Sequence, residues 1–143
     1  MTTEQLLASV SLFNKLDKRD IRSLARLVKE QHYSPGQPIV LEGQTGLGLY
    51  IISDGTAEVV RGSRVIAQLG VGDFFGEIAL LDDLPRTADV RAVTETTCLT
   101  LAKWEFLGEL EAHPQMALPL LPMLSLRIRE ADARADRLQE ELG

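Results

Sequence analysis

A chain of 143 residues at 45% hydrophobic composition holds one domain with one core. At that size folding buries roughly two-thirds of the unfolded surface, so neither metal nor disulfide staples are needed. A net charge of -6, from 15 Lys and Arg against 21 Asp and Glu, argues against direct nucleic-acid binding, which calls for a basic patch.

The N-terminus, Met1-Thr2-Thr3-Glu4-Gln5, has no basic region leading into an apolar stretch. No run approaches the roughly 20 apolar residues that span a bilayer. The expectation is a soluble, cytoplasmic chain without a membrane partner. Asp17 is placed to cap a helix, with Asp20 three positions later and Leu16 and Ile21 spaced as a hydrophobic staple. Ile21, Leu24, Leu27 and Val28 then predict one apolar helical face. Nine of the 11 glycines fall between Gly36 and Gly76, a density that marks a meander of short strands. The predicted strands are Ile39–Leu41, Leu49–Ile52, Ala57–Val60, Val65–Leu69, Ala88–Val93 and Thr97–Leu101. Turn signals separate them at Ser34-Pro35-Gly36, Ser53-Asp54-Gly55 and Arg61-Gly62-Ser63. The only cysteine, Cys98, lies in the apolar run Cys98-Leu99-Thr100-Leu101 and reads as a buried, inert thiol. Lys103 to Glu111 predicts a short helix, and Pro114 suits the first turn of a longer one.

Two glycine motifs invite a phosphate-loop reading and fail it. Gly43-Gln44-Thr45-Gly46-Leu47-Gly48 lacks the Lys and the helix that a P-loop needs. Gly70-Val71-Gly72-Asp73-Phe74-Phe75-Gly76 misses the dinucleotide spacing by one residue. His32 and His113 have no second ligand near them, so no metal site is expected. No nucleophile stands in an elbow or triad setting, and the chain is read as a non-enzyme.

The segment from Phe75 to Ala88, Phe-Gly-Glu-Ile-Ala-Leu-Leu-Asp-Asp-Leu-Pro-Arg-Thr-Ala, carries chemistry. Gly76 lets backbone approach a ligand, and Glu77 to Leu81 can make one or two helical turns whose free N–H groups favour an anion. Arg86 follows nine residues after Glu77, and its planar fork matches a phosphate through paired hydrogen bonds. The bland alternative is an ion pair between Glu77 and Arg86, with Asp82 and Asp83 as further partners for the Arg.

These residues resemble the phosphate-binding cassette of the cyclic nucleotide-binding domain family, Phe-Gly-Glu-Leu-Ala-Leu, a spacer, then Pro-Arg-Ser/Thr/Ala-Ala. Ile78 in place of Leu is the one departure. Tyr33 to Gln37, Glu42-Gly43, Leu49 to Val59 and Gly70 to Glu77 resemble other segments of the family in the same order. The resemblance implies a mainly β fold, an eight-stranded antiparallel β-roll (a jelly roll) with N-terminal helices and a long C-terminal helix. Residues 1–143 then form a single domain, with helices in 1–30, the roll in 31–102, the cassette in 75–88 and C-terminal helices in 103–143. It implies that Glu77 accepts a ribose 2′-hydroxyl and that Arg86 binds the exocyclic oxygens of a cyclic phosphate. Backbone N–H groups around Gly76, Ile78 and Ala79 would complete the cradle, with Thr87 and Ala88 beside it. Arg127, Ala131 and Asp132 are the candidate base contacts on the C-terminal helix. The implied ligand is cAMP or cGMP, with cAMP favoured, and no further cofactor. The runner-up reading is a dimeric interaction scaffold whose cassette is vestigial.

From Ala117 the apolar positions run Ala117, Leu121, Leu124, Ile128, Ala131, Ala135, Leu138 and Leu142, alternating by four and three. Such a seam either packs on its own roll or pairs with a second copy, as it does in bacterial regulators of the family. Pro119 and Pro122 interrupt it, so its first part is expected to be irregular. Those regulators carry a DNA-binding domain after this helix, where the present sequence reaches Gly143. The expectations are a homodimer through this helix, and either a protein effector or a C-terminal effector domain beyond the sequence.

Overall fold

The computed structural model describes residues 1–45, 47–82 and 84–142. Gly46, Asp83 and Gly143 lie outside it, and with them Asp83 as an alternative partner for Arg86. A Thr2–Gln5 capping box opens helix α1 (Thr3–Ala8), an element the sequence reading did not predict although the Thr-x-x-Gln signature is present. A 3-10 turn follows at Ser11–Phe13. Helix α2 (Lys18–Ala25) is capped as expected, the Asp17 carboxylate accepting from the Asp20 N–H at 2.9 Å. Leu27 and Val28 lie beyond its end but still pack on the same core.

Among the described residues eight strands follow: β1 (Lys29–Tyr33), β2 (Pro38–Val40), β3 (Gly48–Asp54), β4 (Ala57–Arg61), β5 (Arg64–Leu69), β6 (Phe74–Phe75), β7 (Asp89–Ala92) and β8 (Thr96–Ala102). They form two antiparallel sheets of order β1-β8-β3-β6 and β2-β7-β4-β5. The eight-stranded roll matches the predicted class. Strand β1 begins at Lys29, two residues before the predicted start of the roll, and both β1 and β6 are additions to the predicted set.

Central strands β3 and β8 are covered on both faces, which explains their near-continuous apolar runs. Leu49, Ile51, Leu99 and Leu101 face a cluster with Leu6, Leu7, Val10, Phe13, Leu24, Phe106, Met116 and Leu120. The alternate residues Tyr50, Ile52 and Cys98 face the interior of the roll, with Ile39, Val40, Ala57, Val90 and Ala92. The first sheet is therefore the middle layer, between helices and the second sheet. Cys98 is fully buried, and desolvation pushes its thiol up to about 12, so the inert reading holds.

Helix α3 (Lys103–Ala112) packs on the helix-covered face of the first sheet through the buried Phe106. A 3-10 stretch, Pro114–Leu120, then contains Pro119, and helix α4 (Leu121–Leu142) begins immediately with Pro122 in its first turn. This is the irregular start that the two prolines predicted, because Pro119 has no N–H to donate to a regular α-helix. No residue of α4 is buried, and Leu121, Ile128, Leu138 and Leu142 are exposed at 56–89%. Among these, the seam does not fold back onto the roll. No helix in the described residues is long and apolar enough to cross a membrane.

Candidate functional site

The segment between β6 and β7 is held in place from both sides. Gly43 N–H donates to the Arg86 carbonyl and Arg86 N–H donates to the Gln44 carbonyl, both at 2.8 Å. A further bridge joins Thr45 to Pro85. The Lys103 ammonium, at the start of α3, donates to the Asp82 carbonyl at 2.8 Å. The predicted helical turns shrink to one 3-10 turn, Ile78–Leu80, with Ala79 and Leu80 buried beneath it.

Gly76 takes φ +82, a left-handed conformation that strains any residue with a Cβ. A Cβ there would also collide with the Gly48 carbonyl oxygen and lie 2.6 Å from both terminal nitrogens of Arg86. Glycine is therefore required for the close passage of this loop over the guanidinium.

Arg86 Nη2 donates to the Gly48 carbonyl at 2.8 Å. Its guanidinium lies 5.9 Å from the Tyr50 ring centroid, and the opposite partner of Tyr50 is Phe75, stacked at 5.0 Å and 2°. The buried Nε has no hydrogen-bond partner among the described residues. Nor is any described carboxylate paired with this cation. Burial lowers the Arg86 pKa, with Tyr50 and Asp82 opposing. A desolvated cation with an open donor suits an anion.

Glu77 does not pair with Arg86, which removes the simple ion-pair alternative. The residue is 5% exposed, and its carboxylate is engaged by two other side chains. Ser11 Oγ donates to Oε2 at 2.9 Å, and the Arg127 guanidinium on α4 forms an ion pair with Oε1.

Of the residues named from sequence, Gly76, Glu77, Ile78, Ala79, Arg86, Thr87 and Arg127 line one cavity of about 440 Å³. Phe74, Phe75, Asp82, Leu84 and Pro85 complete its wall. The Ala79 N–H is already engaged, donating to the Gly76 carbonyl at 3.1 Å. Ala88 is half-buried outside this wall, and Ala131 and Asp132 sit exposed on α4 away from it. Arg127, grouped with them as a base contact, lines the cavity and is paired with Glu77. Tyr50, the Gly48 carbonyl and Ser11 were not anticipated. Their contacts to the cassette span 38 residues at Gly48 and 66 at Ser11, and no local pattern carries them. No group of described His, Cys, Asp and Glu residues is placed to hold a metal.

Comparison with known proteins gives a consistent picture. The sequence model described as "Cyclic nucleotide-binding domain" matches residues 30–113. The chain is 40% identical over 104 residues to a cAMP-dependent protein kinase regulatory subunit of Eremothecium gossypii, covering 72% of this chain and 23% of that protein. It is 40% identical over 99 residues to a cGMP-dependent protein kinase of Toxoplasma gondii, covering 69% and 10%. It is 33% identical over 135 residues to a Cyclic AMP receptor protein of Thermus thermophilus, covering 91% and 62%. The chain thus spans a tenth to under two-thirds of these relatives. Among solved structures, the N-terminal domain of a transcriptional regulator from Streptomyces coelicolor A3(2) superposes with TM-score 0.83 at 28% identity. That match covers 91% of this chain and 94% of that one.

Proposed function

The chain belongs to the cyclic nucleotide-binding domain family, and we propose that it is a cytoplasmic, non-catalytic receptor whose ligand is cAMP in preference to cGMP. The observation that carries this reading is Arg86: a desolvated guanidinium with an open Nε, bordering a cavity large enough for a small ligand. In this reading the exocyclic phosphate oxygens take the fork of Arg86, which restores the hydrogen bonds that burial removed. Free N–H groups at the turn around Gly76 and Ile78 add to the cradle, and Thr87 offers its hydroxyl at the cavity edge. The ribose 2′-hydroxyl donates to Glu77. Ala131 and Asp132 would meet the base only if α4, its own or a second copy's, comes over the cavity.

The preference for cAMP is the finer part of the proposal. Thr87 supports either base in family members, while Asp132 accepts a hydrogen bond from either. The relatives carry both nucleotides in their names. The scaffold alternative would leave the buried Arg86 Nε without a partner, so the receptor reading is preferred. The exposed stripe of α4 supports a homodimer in addition. A protein effector, or a further domain joined to this one, would read out binding.

The test is thermal unfolding with and without cAMP and cGMP, backed by calorimetric titration. A ligand at 100 times its Kd should stabilise the fold by about 2.7 kcal/mol. For a chain of this size that raises Tm by roughly 5–10 °C. No shift and no heat with either nucleotide rejects the receptor reading. A tenfold preference for cGMP in competition rejects the choice of cAMP.

A further inference from the structure

Glu77 is nearly buried, yet its carboxylate is shared between two parts of the chain that lie outside the cassette. Oε1 is taken by Arg127, a long side chain that is 43% exposed and sits on a helix with no buried residue. Oε2 is taken by Ser11, at 2.9 Å, from the 3-10 turn Ser11–Phe13. That turn is rigidly seated, because Val10, Leu12 and Phe13 are all in the core. The two restraints therefore differ in kind: a long, half-exposed guanidinium on an exposed helix, and a short hydroxyl on a turn anchored in the core.

We infer that Ser11 is a positioning residue for Glu77, and that it sets how strongly the site discriminates for a ribose 2′-hydroxyl. This rests on the receptor reading above. An ionised carboxylate has about four acceptor positions on its two oxygens. Ser11 and Arg127 occupy one each and leave room for the ribose hydroxyl. The terminal torsion of Glu is broad and roughly two-fold, so one contact does not fix the plane of the carboxylate. Without Ser11 the preferred geometry is a two-bond pairing with the Arg127 fork. That pairing would commit both oxygens to the Arg127 fork. Ser11, by holding Oε2, opposes that second Arg127 bond and leaves the remaining acceptor positions of Glu77 to the sugar.

The experiment measures the affinities of the full chain for cAMP and for 2′-deoxy-cAMP, in the parent, in Ser11→Ala and in Ser11→Thr. The 2′-hydroxyl contact is a hydrogen bond to a charged group and should be worth about tenfold in affinity. Ser11→Ala should weaken cAMP by roughly tenfold and leave 2′-deoxy-cAMP within about twofold, which erases the discrimination. Ser11→Thr keeps a hydroxyl and should retain the parent ratio. A purely structural role would lower both affinities together. An equal loss for the two nucleotides, or no loss for either, overturns the assignment of Ser11 while the receptor reading stands. A parent chain that binds neither nucleotide overturns the receptor reading and this assignment with it.

Discussion

Replacing Arg86 separates the function of the site from its stability. In the free chain Arg86 contributes one charge-assisted hydrogen bond, Nη2 to the Gly48 carbonyl at 2.8 Å, worth about 1.5–3 kcal/mol. Against this stand the desolvation that lowers its pKa and an Nε without a partner among the described residues. An unsatisfied buried donor costs about 1–3 kcal/mol. The two contributions nearly cancel, so Arg86→Ala should move the Tm of the free chain by only a few degrees. Binding is different, because a cyclic phosphate enclosed by the cassette would lose its charge partner, at about 2–5 kcal/mol. Affinity should fall by roughly 30-fold to several thousandfold. Arg86→Lys should fall between the parent and Arg86→Ala, since an ammonium supplies charge but not the planar fork. Calorimetric titration with cAMP on all three proteins, with Tm measured in parallel, gives both quantities. An Arg86→Ala affinity within threefold of the parent would refute the phosphate assignment. A collapse in free-chain Tm would refute the cancellation.

Gly76→Ala should lower stability by about 2 kcal/mol or more, since φ +82 strains an L-residue and its Cβ meets the Gly48 carbonyl and Arg86; chemical denaturation measures the loss, and cAMP binding should fall with it. Cys98 and Tyr33 are both pushed up to about 12 by desolvation, so the folded chain holds protons that the unfolded chain releases above about pH 9. Unfolding free energy should therefore decline from about pH 9 towards pH 12, and a flat profile over that window would contradict the burial of both groups. A thiol reagent at pH 8 should leave native Cys98 unmodified and label it stoichiometrically in denaturant. Leu138 is 59% exposed on α4, and Leu138→Asp should convert a dimer at tens of micromolar, read by sedimentation, into monomers that still bind nucleotide; a parent that is monomeric there, with and without cAMP, removes the homodimer.

What the sequence disclosed was local. The Asp17 cap and the irregular stretch around Pro119 each act over fewer than a dozen residues, and each appears in the structure where it was expected, whereas Pro122 falls within the first turn of a regular α4. Strand β1 escaped because Lys29-Glu30-Gln31-His32 is polar throughout; it is an edge strand whose residues Lys29 to His32 are exposed, and charge on such an edge discourages pairing with another chain. Strand β6 is two residues long and offers no period to detect. The partners of Glu77 were illegible for a different reason. Ser11 and Arg127 belong to the N-terminal turn and the C-terminal helix. Only packing of those two elements against the same side of the cassette brings them to one carboxylate.

That shared carboxylate limits how strongly nucleotide and α4 can influence each other. If the ribose hydroxyl and Arg127 draw on the same group, ligand affinity and the placement of α4 are linked, and the link is reciprocal. The Glu77–Arg127 pair has a buried acid but a guanidinium that is 43% exposed. Solvent screening on the Arg side keeps such a pair near the upper end of the surface range, about 1 kcal/mol. Each protomer carries one such pair, so through these pairs alone cAMP filling both sites should change the affinity of an α4-mediated dimer by no more than about 30-fold. The free chain already has the pair formed, so binding must either weaken it or use the acceptor positions it leaves open. A coupling of a hundredfold would require contacts that the pair does not supply, namely between the base and the positions at Ala131 and Asp132. Those residues stand clear of the cavity in the isolated chain. The size of the coupling, more than its existence, therefore tells whether α4 is tethered through Glu77 or recruited by the base itself.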